Sequence, residues 1–377
     1  MRRSQQVEVP ARRKPSAQYA KPPIRRTKPS DRRNPTYDTW IKENPVNQVK
    51  SIEGPYGLTR MYFKGDGHCA SKVFHLFHDV HVLTTTACHG QPGTSQIDEF
   101  FDQLVSEPPY MIDFILETYE HDGKGFEPCY LTRIRNKFDS CFMRRTRLAG
   151  QCHINHRDRV RFHFNDVRLN WSGIKRIESA MTRWRKAIEA NDLNRANFDH
   201  FMHPMLGYTI AQWDTRLRKI MKVDKQLQEC APHVRDIINK WVAENIEQPR
   251  FTDYMHALKH WYENPTLQNF KDIDPEKRVL SFSILIVYMD AYTVARCFRK
   301  FHQKQNEYSK DMRNIFLYTG GFHTENYIEL LGRIGCIKDI EIINPTRAQC
   351  ISVERFTPWK LVASEIIYRR NMQTNKS

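Results

Sequence analysis

The stretch that decides the fold is Ile315-Phe316-Leu317-Tyr318-Thr319-Gly320-Gly321-Phe322-His323, an apolar run that ends in paired glycines and a histidine. A helical pattern through Tyr327, Leu330 and Leu331 follows it. This combination is typical of a buried strand, a tight turn and the start of a helix. In α/β proteins such a turn lies at the carboxyl edge of the sheet, where ligands bind. We therefore expect a ligand site near His323.

Similar patterns on both sides of this stretch predict further strands and helices, with a β-α-β-α-β order from the second strand onward. The predicted strands are Leu58–Phe63, Val80–Thr86, Met111–Leu116, Arg159–Phe164, Asp339–Ile343 and Cys350–Glu354. Helices are predicted around 97–104, 131–148 and 174–188, near Trp213, Trp241 and Trp261, from Glu276 to about Lys304, after His323, and over Trp359–Tyr368. Alternation of strands and helices predicts an α/β fold: a mostly parallel sheet with flanking helices and a large helical insertion.

Composition divides the chain into four segments. These are a basic Pro/Arg-rich arm at 1–36, a first part of the α/β domain at 37–169, a helical subdomain at 170–308 and a second part of the α/β domain at 309–377. The arm is expected to be disordered or extended, because it has too few large apolar groups to offset its ordering entropy.

Charge is concentrated in the arm. The whole chain has 59 Lys+Arg against 43 Asp+Glu, a net charge of +16. Residues 1–36 contain eleven Lys and Arg residues against two acidic ones, Glu8 and Asp31. Such a segment favours polyanions or acidic protein surfaces, so we expect it to lie along nucleic acid or to thread between neighbouring subunits. A solvated tail and a nuclear-import signal are the alternatives.

Cysteine spacing and the apolar segments bear on the cellular setting. The nine cysteines are odd in number and contain no CxxC pair. They are interpreted as reduced thiols in a cytosolic, nuclear or intracellular viral protein. The most apolar segment, Ser281–Phe298, contains Asp290 and Arg296, so a buried core helix is favoured over a membrane span.

Polar residues follow several of the predicted strands. They are His89, Glu117, His163, Asp166, Arg168 and His323. Imidazoles with a carboxylate could hold a divalent metal such as zinc or manganese, for which His89, His163 and His323 are the candidate ligands. The same set could perform metal-free acid–base chemistry, with Glu117 as the base and Arg168 binding an anionic group. Ordinary hydrogen bonding at strand ends is the alternative for each residue.

The predicted helix from Glu276 carries polar groups in an apolar setting. Asp290, Tyr292 and Arg296 lie among residues that indicate burial on most sides of the helix. A buried charge without a partner is costly, so these groups must pair with one another or with the strand-end residues. Structural and functional roles stay equally open for them.

The series HVLTTTACHG, MIDFILE, RVRFHFNDVR, VYMDAYTVARCFRKF and IFLYTGGFHTENYIELL resembles a family of poorly characterised proteins from nucleocytoplasmic large DNA viruses. The likeness covers roughly residues 75–335. In that family a first strand ends in Gly-Glu-x-His and a second in Glu, followed by Arg-x-His-x-x-Asp-x-Arg, Asp-x-Tyr-x-x-x-Arg and Gly-x-x-His. The pattern is similar, more distantly, to TraB/TIKI and erythromycin-esterase-like hydrolases, which use strand-end histidines and glutamates.

The resemblance implies a hydrolase-like site. The matching positions are Glu117, Asp166, Arg168, Asp290, Tyr292 and Arg296 as catalytic residues and His89, His163 and His323 as metal ligands. Ala87 stands where the family has the glutamate of its first strand end, and this removes a carboxylate from the scheme.

Two functional hypotheses follow. The first is a virus-encoded, virion-associated protein on a degenerate hydrolase-like fold, a pseudoenzyme. It would contact capsid proteins or nucleic acid through residues 1–36. Its expected location is the virion, and the host cytoplasm or nucleus during infection. The second is an active hydrolase, with or without a metal, that uses the strand-end His and Glu residues. No membrane span is expected, and the sequence leaves the oligomeric state open.

The arm generates a direct prediction. Deletion of residues 1–36 should remove most of the salt-sensitive DNA binding of the protein, because binding to phosphates is driven by release of counterions from basic residues. Fluorescence anisotropy with a labelled duplex at several salt concentrations measures the change. Unchanged affinity and salt dependence in the truncated protein would show that the arm serves another purpose.

Overall fold

The structure is a computed structural model. It describes residues 45–80, 88, 90–106, 108, 110–117, 129–142, 159–166, 210–246, 275–301 and 311–354. All of these residues belong to one compact unit. The arm at 1–36, the helices predicted around 174–188, Trp261 and 359–368, and the site residues His89 and Arg168 lie outside the described ranges.

Strands and helices alternate along the described residues. The strands are β1 (Ser51–Glu53), β2 (Gly57–Phe63), β3 (Lys72–Asp79), β4 (Thr94–Gln96), β5 (Ile112–Leu116), β6 (Val160–Phe164), β7 (Asn314–Gly320), β8 (Ile337–Ile343) and β9 (Cys350–Ser352). The helices are α1 (Ile97–Ser106), α2 (Tyr130–Phe142), α3 (Ile210–Ile220), α4 (Val223–Leu227), α5 (Pro232–Ile246), α6 (Pro275–Phe298) and α7 (Gly321–Ile334). A short 3-10 helix over Pro45–Gln48 precedes β1.

Six strands form a mixed sheet in the order β6-β5-β7-β3-β2-β8. β6, β5, β7 and β3 run parallel, whereas β2 is antiparallel to both β3 and β8. The connection between β2 and β3 is too short for a parallel crossover, so these two strands run in opposite directions. The predicted α/β class with flanking helices is confirmed, and the sheet is mixed. β4, β1 and β9 form a second, three-stranded sheet.

Helices cover both faces of the six-stranded sheet. On one face, Leu76 and Leu317 share a core with Leu217, Trp241 and other residues of α3 to α7. On the other face, residues of α1 and α2 pack against apolar side chains of β5, β6 and β7. The described helices between 210 and 298 therefore bury their apolar sides against the sheet. The predicted boundaries of the helical subdomain, 170 and 308, stay a prediction.

β3 is a strand that the sequence pattern did not predict, and the predicted strand Val80–Thr86 lies, except for Val80, outside the described residues. β3 spans Lys72–Asp79 and every residue in it is buried, whereas Val80 lies outside it. The sequence of β3 contains Lys72 and His78, whereas buried strands are ordinarily continuous apolar runs, so the pattern did not indicate a strand here. The polar atoms of these two residues are satisfied inside the core: the Lys72 Nζ donates to the Met312 carbonyl at 2.7 Å, and the His78 Nε2 lies 2.9 Å from the Thr59 hydroxyl.

The stretch Ile315–His323 is a buried strand followed directly by a helix, as predicted. Glycine is required at 321, because a Cβ there would overlap the Tyr56 hydroxyl. The close approach of Tyr56 therefore explains one member of the glycine pair. α7 ends at Ile334 and is followed by Gly335, whose φ of 100° is in the left-handed region typical of a helix C-terminus.

Two predicted helices are shorter in the structure. The helix predicted over 131–148 is Tyr130–Phe142, with 143–148 outside the described ranges. The helix predicted to reach about Lys304 ends at Phe298. The residues directly after it take a non-helical path that places Phe301 beside three arginine side chains. No helix among the described residues is long and apolar enough to span a bilayer.

The prediction that all cysteines are reduced thiols is wrong. Cys88 and Cys350 form a disulfide with a Cα–Cα distance of 5.9 Å across 262 residues of sequence, and Cys141 is also disulfide-bonded. Five other cysteines are free and buried: Cys69, Cys129, Cys230, Cys297 and Cys336. A pairing between residues this far apart in sequence cannot be predicted from spacing, because it depends on which distant segments of the chain the fold brings together.

Candidate functional site

Polar side chains of β5 and β6 face α6. Side chains alternate along a strand, so Asp113 lies on the same face as Ile115, which packs in the core beneath the helices α3 to α7. Arg161 and His163 occupy that face of β6, since Ile115 and His163 are register partners. All three polar residues are buried. Each of them therefore needs a polar partner within the core.

The His323 cluster consists of Glu117, Asp290, His323 and Asn326. His323 lies in the first turn of α7, with Nδ1 2.6 Å from Asp290 Oδ1 and Nε2 3.2 Å from Glu117 Oε1. Asn326 donates to the second Asp290 oxygen at 2.7 Å, and the Gly320 backbone N–H donates to the second Glu117 oxygen at 2.8 Å. One imidazole thus joins α6, α7 and the end of β5.

The His323 cluster holds a buried positive charge. Burial by itself lowers the pKa of His323, but the Asp290 and Glu117 carboxylates outweigh it and raise that pKa to about 10. Burial raises the pKa of Asp290, and the imidazolium opposes this rise. Because two carboxylates contact a single imidazole, His323 is an imidazolium at neutral pH.

Tyr327 extends the His323 cluster towards β6. Its ring stacks on the His323 ring with centroids 6.3 Å apart, and its hydroxyl accepts a hydrogen bond from Asn165 at 3.1 Å. Burial and the nearby Asp290 carboxylate raise the pKa of Tyr327 well above its usual value. The hydroxyl therefore stays protonated and donates to Asp290.

The His163 cluster consists of Asp113, Arg161, His163 and Arg296. Arg161 forms a two-pronged ion pair with Asp113, at 2.6 and 2.9 Å. The His163 Nε2 lies 2.9 Å from the same carboxylate, and its Nδ1 lies 3.2 and 3.3 Å from two nitrogens of Arg296. Arg296 also donates to the Tyr292 hydroxyl at 3.4 Å.

His163 is neutral, in contrast to His323. Burial lowers its pKa, and the Arg296 and Arg161 charges reinforce the effect against the opposing influence of Asp113, which leaves the pKa at about 4. Guanidinium nitrogens only donate, so Nδ1 must be the acceptor and Nε2 must carry the proton that is donated to Asp113. Two histidines on one side of the sheet are thus held in opposite protonation states, a pattern that often separates acid and base roles.

The structure brings together most of the residues singled out in the sequence. Glu117, Asp290 and His323 belong to one cluster, and His163 and Arg296 belong to the other. Tyr292 contacts the second cluster through Arg296. Asp166 is the second residue after β6 and is half-buried. His89 and Arg168 lie outside the described ranges, so their roles stay predictions.

Of the three candidate metal ligands, His163 and His323 lie within the described residues, and they are poorly placed to share a metal ion. Both ring nitrogens of His323 face carboxylates, and those of His163 face Asp113 and Arg296. Among the residues the structure describes, no group of three or more His, Cys, Asp and Glu side chains is arranged to hold a metal. His163 and His323 therefore do not fit a metal site, and the predicted role of His89 as a metal ligand stays untested.

Sequence reasoning missed Asp113, Arg161 and Asn326. A signal for the first was present, because Asp113 interrupts an apolar run that was correctly interpreted as a buried strand. A fully buried carboxylate requires a cation or several donors nearby, and Arg161 at the register-paired position supplies them. Asn326 had no comparable signal, since one polar residue on a helix is ordinary.

Comparison with known proteins adds no relative: no family model, no curated protein and no solved structure matches the chain. Four of the motif segments behind the proposed viral resemblance nevertheless meet at α6. They contribute Asp113 with Glu117, His163, Asp290 with Arg296, and His323 to the two clusters. This geometry is a property of the chain itself, and the resemblance stays a prediction.

Replacing His323 by alanine should lower the free energy of unfolding by about 3–5 kcal/mol, because it removes the cation from between two buried carboxylates. Urea unfolding followed by circular dichroism measures this. His233→Ala is the matched control: His233 pairs with Asp66 at 3.0 Å but is 40% exposed, so its loss should cost about 1 kcal/mol or less. Equal effects of the two substitutions would contradict the ionic role of His323.

The raised pKa of His323 also predicts a pH dependence. Its folded value of about 10 exceeds the ordinary 6.5, so the stabilisation is complete below pH 6.5 and is lost as the pH rises towards 10. Within that window stability should fall by about 1.4 kcal/mol per pH unit from this group. Unfolding titrations at several pH values should show the decline in the wild type and in His233→Ala. The decline should be absent in His323→Gln.

Proposed function

We propose that this protein carries a hydrolytic acid–base site formed by Glu117, Asp290 and His323 on a hydrolase-like α/β fold. The convergence of these three residues from β5, α6 and α7 carries the proposal. They meet at the carboxyl ends of β5 and β7, which are adjacent parallel strands inside the sheet. That edge is where open α/β sheets ordinarily bind ligands.

Each residue takes a distinct role in this proposal. Asp290, itself held by a hydrogen bond from Asn326, orients the His323 ring, and the Asp290 charge keeps the ring protonated. Glu117 is the general base: its carboxylate accepts a proton from a water molecule, whose oxygen then attacks the electrophilic centre of the substrate. The His323 imidazolium is the general acid, and it donates its Nε2 proton to the leaving group as the bond breaks. Proton return from Glu117 to His323 across their 3.2 Å contact completes the cycle.

The N-terminus of α7 supports the role of Glu117. The Gly320 N–H donates to the carboxylate, and the helix dipole favours negative charge at this position. The same dipole would stabilise negative charge that develops on a substrate oxygen near the Gly320-Gly321 turn. The paired glycines therefore serve both the packing against Tyr56 and the approach of the backbone to the site.

A second candidate function is a virus-encoded, virion-associated protein that has the same fold and no activity. The near-complete burial and mutual pairing of the His323 cluster favours it, because such a network also serves to join α6 to the sheet. Ala87 in place of the motif glutamate and the basic arm at 1–36 add support. Under this proposal the arm contacts capsid proteins or nucleic acid in the virion, or in the host cytoplasm or nucleus.

Hydrolysis of chromogenic carboxylic and phosphate esters by purified full-length protein separates the two. The enzyme proposal predicts turnover that falls by about 100-fold or more in Glu117→Gln, since that substitution removes the base. Glu329→Gln is the matched control, because Glu329 is an exposed residue of α7 that pairs with Arg333.

The outcomes of this assay are distinct. Turnover that survives in Glu117→Gln would contradict the assigned base. Absence of turnover in the wild type with every ester would favour the inactive scaffold. Unfolding curves of both variants show whether a loss of activity is merely a loss of fold.

A further inference from the structure

Three guanidinium groups surround the ring of Phe301. They belong to the arginine cluster, defined as Arg161, Arg296 and Arg299, and lie 4.7, 5.5 and 4.9 Å from the ring centroid, respectively. Cation–π attraction favours such contacts, and the ring also fixes the planes of the guanidinium groups. Phe301 therefore holds three positive groups near one another on the side of the sheet that carries the candidate site.

Among the residues that the structure describes, only one of the three charges is neutralised by contact with a carboxylate. Arg161 pairs with Asp113. Arg296 donates to His163 and Tyr292, and Arg299 donates to the Gln226 side chain at 2.8 Å and to the Lys300 carbonyl. Within the described part of the chain, neither Arg296 nor Arg299 forms an ion pair with a carboxylate. Glu229 acts on Arg299 only at longer range.

His163 preserves the charge of Arg296. An acidic residue in this position would neutralise the guanidinium, whereas the neutral imidazole accepts its hydrogen bonds and leaves the charge in place. Asp113 accepts a hydrogen bond from the single ring N–H, on Nε2, and so keeps Nδ1 available as the acceptor. The chain Asp113–His163–Arg296 therefore positions a cation without cancelling it.

Arg296 and Arg299 are half-buried, so the repulsion between them is only partly screened by water. Its effect is visible on Arg299, whose pKa is lowered by burial and then by the charge of Arg296. Stacking on Phe301 alone would be served as well by one guanidinium. A pair of like charges in a half-buried site is relieved when an anion binds between them.

We propose that Arg296 and Arg299 form a binding subsite for the phosphate group of a small phosphate monoester. Two guanidinium groups match the dianionic charge of a monoester and can present paired N–H donors to its oxygens. Arg296 follows Asp290 by six residues of α6, or about 9 Å along the helix axis. A small phosphorylated molecule could therefore reach from the subsite to the His323 cluster. The assignment of this molecule as substrate rests on the proposed hydrolytic function, whereas the binding of phosphate does not.

Calorimetric titration of the full-length protein with inorganic phosphate tests the subsite without any turnover. We expect one saturable site per chain, and weaker binding of dimethyl phosphate because it carries a single charge. Arg296→Gln and Arg299→Gln should each weaken phosphate binding by about tenfold or more, since each removes charge-assisted hydrogen bonds. Arg333→Gln is the matched control, because Glu244 and Glu329 already neutralise that guanidinium.

Each result bears on the proposal separately from the hydrolytic function. Absence of saturable phosphate binding, or equal binding by the wild type and the Arg296→Gln/Arg299→Gln double variant, would overturn the subsite. An Arg299→Lys variant that folds like the wild type and binds with intermediate affinity would support the paired-donor geometry. Phosphate binding without ester hydrolysis would leave the subsite standing and remove the proposed catalysis.

Discussion

The arrangement of β5, α6 and α7 depends on the ionic contacts of His323 with Asp290 and Glu117. Burying three charged groups is costly, and their attraction offsets that cost only while β5, α6 and α7 keep their positions. A purely apolar interface would tolerate sliding between these elements, whereas this one specifies a single arrangement. The Gly320 N–H and Asn326 complete it by satisfying the remaining carboxylate oxygens.

Charge is distributed unequally over the α6 face of the sheet. The His323 cluster combines one imidazolium with two carboxylates, while the His163 cluster combines two guanidinium groups with one carboxylate and a neutral imidazole. The first is therefore negative and the second positive, and both lie against α6. Such a polarised arrangement suits a reaction in which one end of a substrate is bound by its charge while the other end is activated.

Buried polar residues explain both the success and the failure of sequence reasoning. β5 and β7 were predictable because long apolar runs admit few alternatives to a covered strand. β3 was missed because Lys72 and His78 are buried with specific partners on β2 and before β7, and no local pattern reveals such partners. The disulfide between Cys88 and Cys350 was not predicted either, because no local pattern indicates a partner that is remote in sequence.

The sequence by itself determined the α/β class, the strand-turn-helix at Ile315–His323, the buried character of α6, and the candidacy of Glu117, Asp290 and His323. Those features follow from periodicity and from residue types at strand ends, which are local. Only the tertiary structure decided the partners: which carboxylates contact His323, that His163 is neutral, and that Phe301 holds Arg296 and Arg299 near each other. Contacts of this kind depend on the distances between elements remote in sequence, which no local pattern contains.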